Sequence, residues 1–259
     1  MAIYVTGDTH ADLTINNLKQ FRSECEKGIY HLDKNDYVII CGDFGLLWSN
    51  PYTLEYYHEV GTCIESNPDD LNWNWEELNL LDWYEACPWT TLWVDGNHEN
   101  FDRLDTYSVS SWHGGRVHEI SPSIIHLMRG EIYDIDGYKI FTFGGAQSTD
   151  RGTYTHTEWQ DIHRCWWPQE IPSEKERAWA HKNLEANGNK VDFIITHDCP
   201  MGINCGNGYR ISEVSSFLET IRQSVDFTHW FCGHMHRDED YGKVSILYDR
   251  VLPIEYSVY

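Results

Sequence analysis

Histidine, aspartate and asparagine recur in five short clusters: Gly7-Asp8-Thr9-His10, Gly42-Asp43, Gly96-Asn97-His98-Glu99, Thr196-His197 and Gly233-His234-Met235-His236. Their side chains offer hard oxygen and imidazole nitrogen donors, with no thiolate among them. That mixture suits Mn, Fe, Zn or Mg held as a pair. Paired divalent ions are a hydrolytic device, so the residue types imply a dinuclear metal hydrolase. Any one cluster alone would carry little weight, because a lone histidine is usually structural.

The clusters share a position, since each closes a short apolar run. The runs are Ile3-Tyr4-Val5, residues 37–41, Leu92-Trp93-Val94, residues 191–195 and residues 227–232. Apolar, β-branched or aromatic runs of this kind are expected to be buried strands. Strands that each deliver polar groups at one end place a site at the carboxyl edge of a sheet. Between them, Leu13, Ile15, Leu18 and Phe21 give residues 11–27 near-helical spacing, and residues 52–66 read as a further helix. Residues 66–89 interleave Trp73, Trp75, Trp83 and Trp89 with acidic residues and asparagine. They are expected to form a helical excursion whose tryptophans pack inward, with a rim of the substrate cleft as the other reading.

Closely spaced strands follow at 124–128, 131–135 and 138–143, the last two joined by Asp136-Gly137, a hairpin sequence. Residues 144–172 lack periodicity and read as a long functional loop. Ser173 and Glu176 form a capping box for a helix ending at Ala186. A helix over 212–223 and strands at 243–248 and 251–256 complete the pattern. No repeat or linker divides the chain, and clusters from both ends must meet at one site. Residues 1–259 are therefore expected to form a single domain.

The ordered set Asp-x-His, Gly-Asp, Gly-Asn-His-Glu, His and Gly-His-x-His runs from residue 7 to residue 236. It resembles the calcineurin-like metallophosphoesterase superfamily, in its branch of small bacterial and phage-type phosphoesterases. The resemblance implies an α/β (α+β) fold, a four-layer αββα sandwich in which two mixed β-sheets are flanked by helices. It implies Asp8, His10 and His236 as ligands of one ion and Asn97, His197 and His234 as ligands of the other. Asp43 would bridge them, as one carboxylate can hold ions ~3.5–4 Å apart. The expected cofactors are two divalent metal ions, Mn first, with Fe, Zn and Ni also compatible. By the same resemblance a metal-bridging water is the nucleophile. His98, adjacent to a ligand yet not one itself, would protonate the leaving oxygen, so His98 and Asp43 are the implied catalytic residues. Glu99 is expected to support its loop.

The chain departs from one branch of that superfamily. Protein Ser/Thr phosphatases continue Gly-Asp with two residues and then Asp-Arg-Gly, whereas Gly42-Asp43 is followed here by Phe44-Gly45-Leu46-Leu47-Trp48. The acid that orients the catalytic histidine in that branch is missing, and so is its phosphate-clamping arginine. Asp95 and Asp102 are nearby acids available to His98. Arg103, Arg151 and Arg164 are candidate phosphate contacts, because a guanidinium fork matches phosphate oxygens. Pairing of those arginines with a very acidic surface is an equal expectation for each.

Composition narrows the substrate. Forty-one acidic against 19 basic residues give a net charge of −22, which repels polyanions and disfavours a long nucleic acid. A small phosphodiester or phosphomonoester is the leading substrate. A phosphoprotein phosphatase acting on a basic partner is the second reading, and a catalytically idle metal-binding scaffold the third. The eight cysteines are scattered without a Cys-x-x-Cys pair, and no run approaches the ~20 apolar residues of a membrane helix. With no leader pattern at the start, a cytoplasmic protein without membrane contacts is expected, its oligomeric state undetermined.

Overall fold

The computed structural model describes residues 1–13, 17–47, 71–148, 166–204 and 211–256. The strands are β1 (Ile3–Thr6), β2 (Tyr37–Ile40), β3 (Thr90–Trp93), β4 (Val109–Trp112), β5 (Gly115–Ser121), β6 (Ile124–Leu127), β7 (Glu131–Ile135), β8 (Tyr138–Phe143), β9 (Phe193–Thr196), β10 (His229–Cys232), β11 (Glu239–Tyr241), β12 (Val244–Ile246) and β13 (Val251–Pro253). The helices are α1 (Leu18–Glu26), α2 (Leu71–Glu85), α3 (Phe101–Leu104), α4 (Glu174–Ala186), α5 (Met201–Asn204) and α6 (Glu213–Ser224). One seven-stranded sheet runs β13-β1-β2-β3-β6-β5-β4 and one six-stranded sheet runs β11-β12-β10-β9-β8-β7. Both are mixed. β1, β2, β3 and β6 are parallel in the first, and β8, β9, β10 and β12 in the second, with antiparallel strands at the edges.

Side-chain alternation builds the layers. In β2, Ile39 faces the other sheet with Val5, Leu92, Ile195 and Phe231, while Val38 and Ile40 face helices α1 and α2 with Leu18, Phe21 and Tyr84. In the second sheet, Ile194 and Trp230 face α4 and α6, against Leu184, Leu218 and Ile221. Three apolar clusters separated by two sheets make the four-layer αββα sandwich. No helix among the described residues is long and apolar enough to cross a membrane.

Several elements differ from the pattern read in the sequence. Helix α1 starts at Leu18 with Asn17 as its N-cap, and His10 and Ala11 at the head of the expected helical stretch sit at φ 46° and 54°, outside helical space. Residues 52–66 lie outside the described residues. The 66–89 excursion contains α2, with Trp83 and Trp89 packed into the cluster beneath it; the side chains of Trp73 and Trp75 are outside the description. The antiparallel pair β4–β5 has no periodic apolar pattern to announce it, since β4 is half exposed at the sheet edge. The Asp136-Gly137 hairpin and the Ser173–Glu176 capping box are both present. Of the long loop, residues 149–165 lie outside the described residues, while Trp166 and Trp167 are buried and lead into a short turn of 3-10 helix over Pro168–Glu170. Cys41 and Cys232 are free and fully buried, small apolar side chains of their strands.

Candidate metal centre

The carboxyl ends of β1, β2, β3, β9 and β10 converge, and each delivers one cluster. Asp43 is the junction, with 1 % of its surface exposed. Its carbonyl oxygen accepts from Thr9 N (3.2 Å) and His10 N (2.7 Å), which ties the first cluster to the second. Its Oδ1 accepts from Asn97 N and His98 N, both at 2.8 Å, which ties in the third. His197 Nε2 from the fourth cluster stands 3.3 Å from that oxygen. Asp8 joins the fifth, because His234 N donates to both of its carboxylate oxygens at 3.0 Å.

Two glycines make these approaches sterically feasible. A Cβ on Gly96 would lie 2.0 Å from Asp43 Oδ1, and one on Gly233 would lie 2.1 Å from Asp8 Oδ1. The glycine that precedes a ligand is therefore part of the site.

The donor atoms fall into two groups that share Asp43. Asp8, His10, Asp43 and His236 offer atoms within 4.8 Å of one another, and so do Asp43, His197 and His234. Asn97 Oδ1 adds a neutral oxygen 3.2 Å from His197 Nε2. In the first group His10 Nε2 and His236 Nε2 approach to 3.0 Å, with Asp43 Oδ2 3.6 Å from the former and Asp8 Oδ2 3.3 Å from the latter. Imidazole nitrogens meeting at that distance among carboxylates form a natural cation seat. In the second group the Cys41 carbonyl, an obligate acceptor, takes a hydrogen bond from His197 Nδ1 at 2.8 Å. That bond fixes the tautomer and leaves the Nε2 lone pair for the site.

Electrostatics follow the same division. Burial alone would lower the His197 pKa, but the Asp43 and Asp8 carboxylates outweigh burial and raise it to about 10. Burial would raise Asp43, yet His197, His98 and His10 around it hold its carboxyl well below the usual range. Burial, reinforced by His197, pushes His234 down to about 3. Two deeply buried carboxylates thus draw positive charge to themselves, which divalent ions would satisfy in place of imidazole protons. Donor chemistry and geometry both fit a pair of divalent metals.

Of the remaining sequence-derived residues, His98 is half-buried and sets its ring 5.0 Å from that of His10. Glu99 is a brace: its carboxylate accepts from Phe44 N (2.8 Å), Gly45 N (3.1 Å) and Gly96 N (3.3 Å). Arg103 forms an ion pair with the buried Glu77 of α2. Arg151 and Arg164 lie outside the described residues. Asp102 accepts from the Trp167 indole at 2.9 Å, and Asp95 is held by His126 and Arg129. Sequence reading had no means to find His126, Arg129 or Tyr248. The Tyr248 ring stacks on His236, centroids 4.9 Å apart and planes within 17°, covering one face of an imidazole that stays half-exposed. Isolated residues on strands and turns carry no motif, so only the folded chain reveals them.

Comparison with known proteins agrees with this geometry. A family model described as calcineurin-like phosphoesterase matches residues 1–238. The chain is also similar to a lariat debranching enzyme of Schizosaccharomyces pombe, with 22% identity over 245 residues. That match covers 82% of this chain and 47% of the other, so the chain spans about half the length of this curated relative.

Proposed function

The chain belongs to the calcineurin-like phosphoesterase family, and on that premise we propose that it is a dinuclear metal-dependent hydrolase of small phosphoesters. The observation that carries the reading is the pair of donor groups sharing Asp43. Asp8, His10, Asp43 and His236 would hold one ion, and Asp43, Asn97, His197 and His234 the other, with Mn as first choice. Bound there, the ions supply activation of the attacking water and neutralisation of phosphoryl charge. The chain's own contribution is placement. Backbone N–H groups hold the Asp43 and Asp8 carboxylates where they would receive the ions, and His197 is held in the right tautomer by Cys41. His98, whose ring lies against that of His10, delivers the proton to the leaving oxygen.

A diester is the preferred substrate, because the phosphatase-branch Asp and Arg after Gly42-Asp43 are missing. Arg22, Arg103, Arg116, Arg129, Arg177, Arg222, Arg237 and Arg250 each pair with a carboxylate. Arg151 and Arg164, like Arg210, lie outside the described residues; together with Arg103, which Glu77 already engages, they stay the proposed phosphate contacts. Exclusion of long nucleic acids, on charge grounds, and a cytoplasmic location, in keeping with cysteines that are free among the described residues, complete the reading.

The test is metal content together with ester preference. Protein purified without chelator should carry two ions per chain and cleave bis(para-nitrophenyl) phosphate faster than para-nitrophenyl phosphate. Asp43→Asn should lose both paired binding and activity. Wild-type protein that binds metal yet cleaves neither ester with Mn, Fe, Zn or Ni would establish the idle-scaffold reading instead.

A further inference from the structure

The loop that carries Asn97 and His98 is gripped at both ends by one residue outside every cluster. Arg129 occupies the tight turn between β6 and β7 and is 7 % exposed. Its Nε donates to Asp95 Oδ2 at 2.8 Å, and its Nη2 donates to the same oxygen. Its guanidinium carbon lies 5.5 Å from the centroid of the Phe101 ring, over its face. Asp95 opens the segment containing Asn97, His98 and Glu99, and Phe101 closes it. Arg129 also reaches away from the loop, with Nη2 to Gln169 O at 2.8 Å and Nη1 to Glu176 Oε1 at 3.4 Å. From the other side His126 Nε2 meets Asp95 Oδ1 at 3.2 Å, and Gly145 N donates to the Asp95 carbonyl at 2.8 Å. The start of the loop is thereby tied to the far sheet and to α4.

A buried arginine–carboxylate pair is a poor stability device, because desolvation offsets most of the attraction. What it does provide is fixed geometry. A planar guanidinium cannot slide without stranding a buried charge, so the chain leaving Asp95 has one direction only. That direction aims Gly96-Asn97-His98 at Asp43.

We propose that Arg129 is a positioning residue for His98, acting through Asp95 and never touching substrate. The proposal rests on the proton-delivery role given to His98 above. It predicts a defect specific to proton delivery, which general loosening of the fold would not produce.

The experiment is a double-mutant cycle on the full chain. Arg129→Lys keeps the charge and loses the fork; it is compared with His98→Ala and with the double variant. Metal is added to each until activity no longer rises. Rates are read on bis(para-nitrophenyl) phosphate, whose leaving group needs little protonation, and on diphenyl phosphate, whose leaving group needs more. Arg129→Lys should lower kcat on diphenyl phosphate by about ten- to a hundredfold, the usual range for residues behind an active-site group. The nitrophenyl ester should suffer clearly less, KM should hold, and the substitution should cost nothing further once His98 is alanine. Equal loss on both esters, no loss on either, or full additivity with His98→Ala overturns the proposal. If Arg129→Lys does not fold, Asp95→Asn breaks the same pair from the other side and gives the same reading. Failure of the His98 role looks different: His98→Ala alone would then slow both esters equally, and the positioning role falls with it.

Discussion

Left-handed backbone occurs in two kinds of place in this molecule. At His113 (φ 47°), Asp136 (54°) and Asn189 (51°) it accompanies a glycine neighbour of positive φ: Gly114, Gly137 and Gly188. These are turns, where the glycine absorbs much of the bend and Asp and Asn tolerate the conformation. At the metal centre His10 (46°), Ala11 (54°), Asp43 (46°), His234 (65°) and His236 (46°) adopt it too, and of these only Asp43 has such a glycine beside it, Gly42 (98°). Four of those five are proposed ligands, selected for their donor atoms although the conformation costs about 1–2 kcal/mol for an L-residue. Tertiary contacts hold them there: Thr9 N and His10 N on the Asp43 carbonyl, and His234 N on Asp8. In turns the sequence relieves the backbone, whereas at the site the surroundings enforce a backbone the local sequence would not choose.

One substitution made in both regions breaks the comparison or confirms it. Gly96→Ala puts a methyl 2.0 Å from the Asp43 carboxylate, so paired metal binding should collapse. Activity should fall by more than the roughly hundredfold typical of supporting residues. Metal analysis and ester hydrolysis check it, and a variant that keeps both would show the Gly96–Asp43 contact to be dispensable. Next in size is His98→Ala, expected to lower kcat by roughly 10²–10⁴-fold with both ions retained. Loss of metal in that variant would make His98 a ligand rather than a proton donor. Gly137→Ala meets open space at φ +85°, so only backbone strain of about 1 kcal/mol should appear, read as a lower urea midpoint with kcat unchanged.

The smallest effect concerns a buried histidine with no part in the donor groups. Burial, then the neighbouring His126, push the His118 pKa from 6.5 down to about 4, against the pull of Asp95. Between those two values the unfolded chain binds a proton that the folded chain refuses, so stability falls as pH drops through the window and levels off below about 4. His118→Phe should show a shallower fall in urea midpoint between neutral pH and about pH 5, whatever its absolute stability. An equal fall in both proteins would mean that other groups carry the acid sensitivity.

Much of this was legible before folding. Strands β1, β2, β3, β9 and β10 are short apolar runs, and a polar cluster at the end of each is a pattern in the chain itself. The 136–137 turn and the Ser173–Glu176 box are equally local, because turn and cap chemistry involves residues three or four apart. The β4–β5 hairpin was not legible, since an edge strand such as β4 is half exposed and loses the alternation that marks buried ones. The start of α1 was hidden for a different reason: apolar spacing around Leu13 continues upstream of the helix, while the left-handed turn at His10 and Ala11 belongs to the site.

By itself the sequence determined the chemistry: which donor atoms exist, in what order, and that each follows a strand able to carry it to a common edge. Residue type and local periodicity are properties of neighbours along the chain, and they survive reading in one dimension. Only the tertiary structure decided which backbone N–H groups Asp43 and Glu99 hold, and that Arg103 is engaged by Glu77. It alone brought Arg129, 34 residues downstream, to grip Asp95. Such pairings depend on which strand lies beside which and on where a buried charge finds its partner, and both are settled by packing across the two sheets.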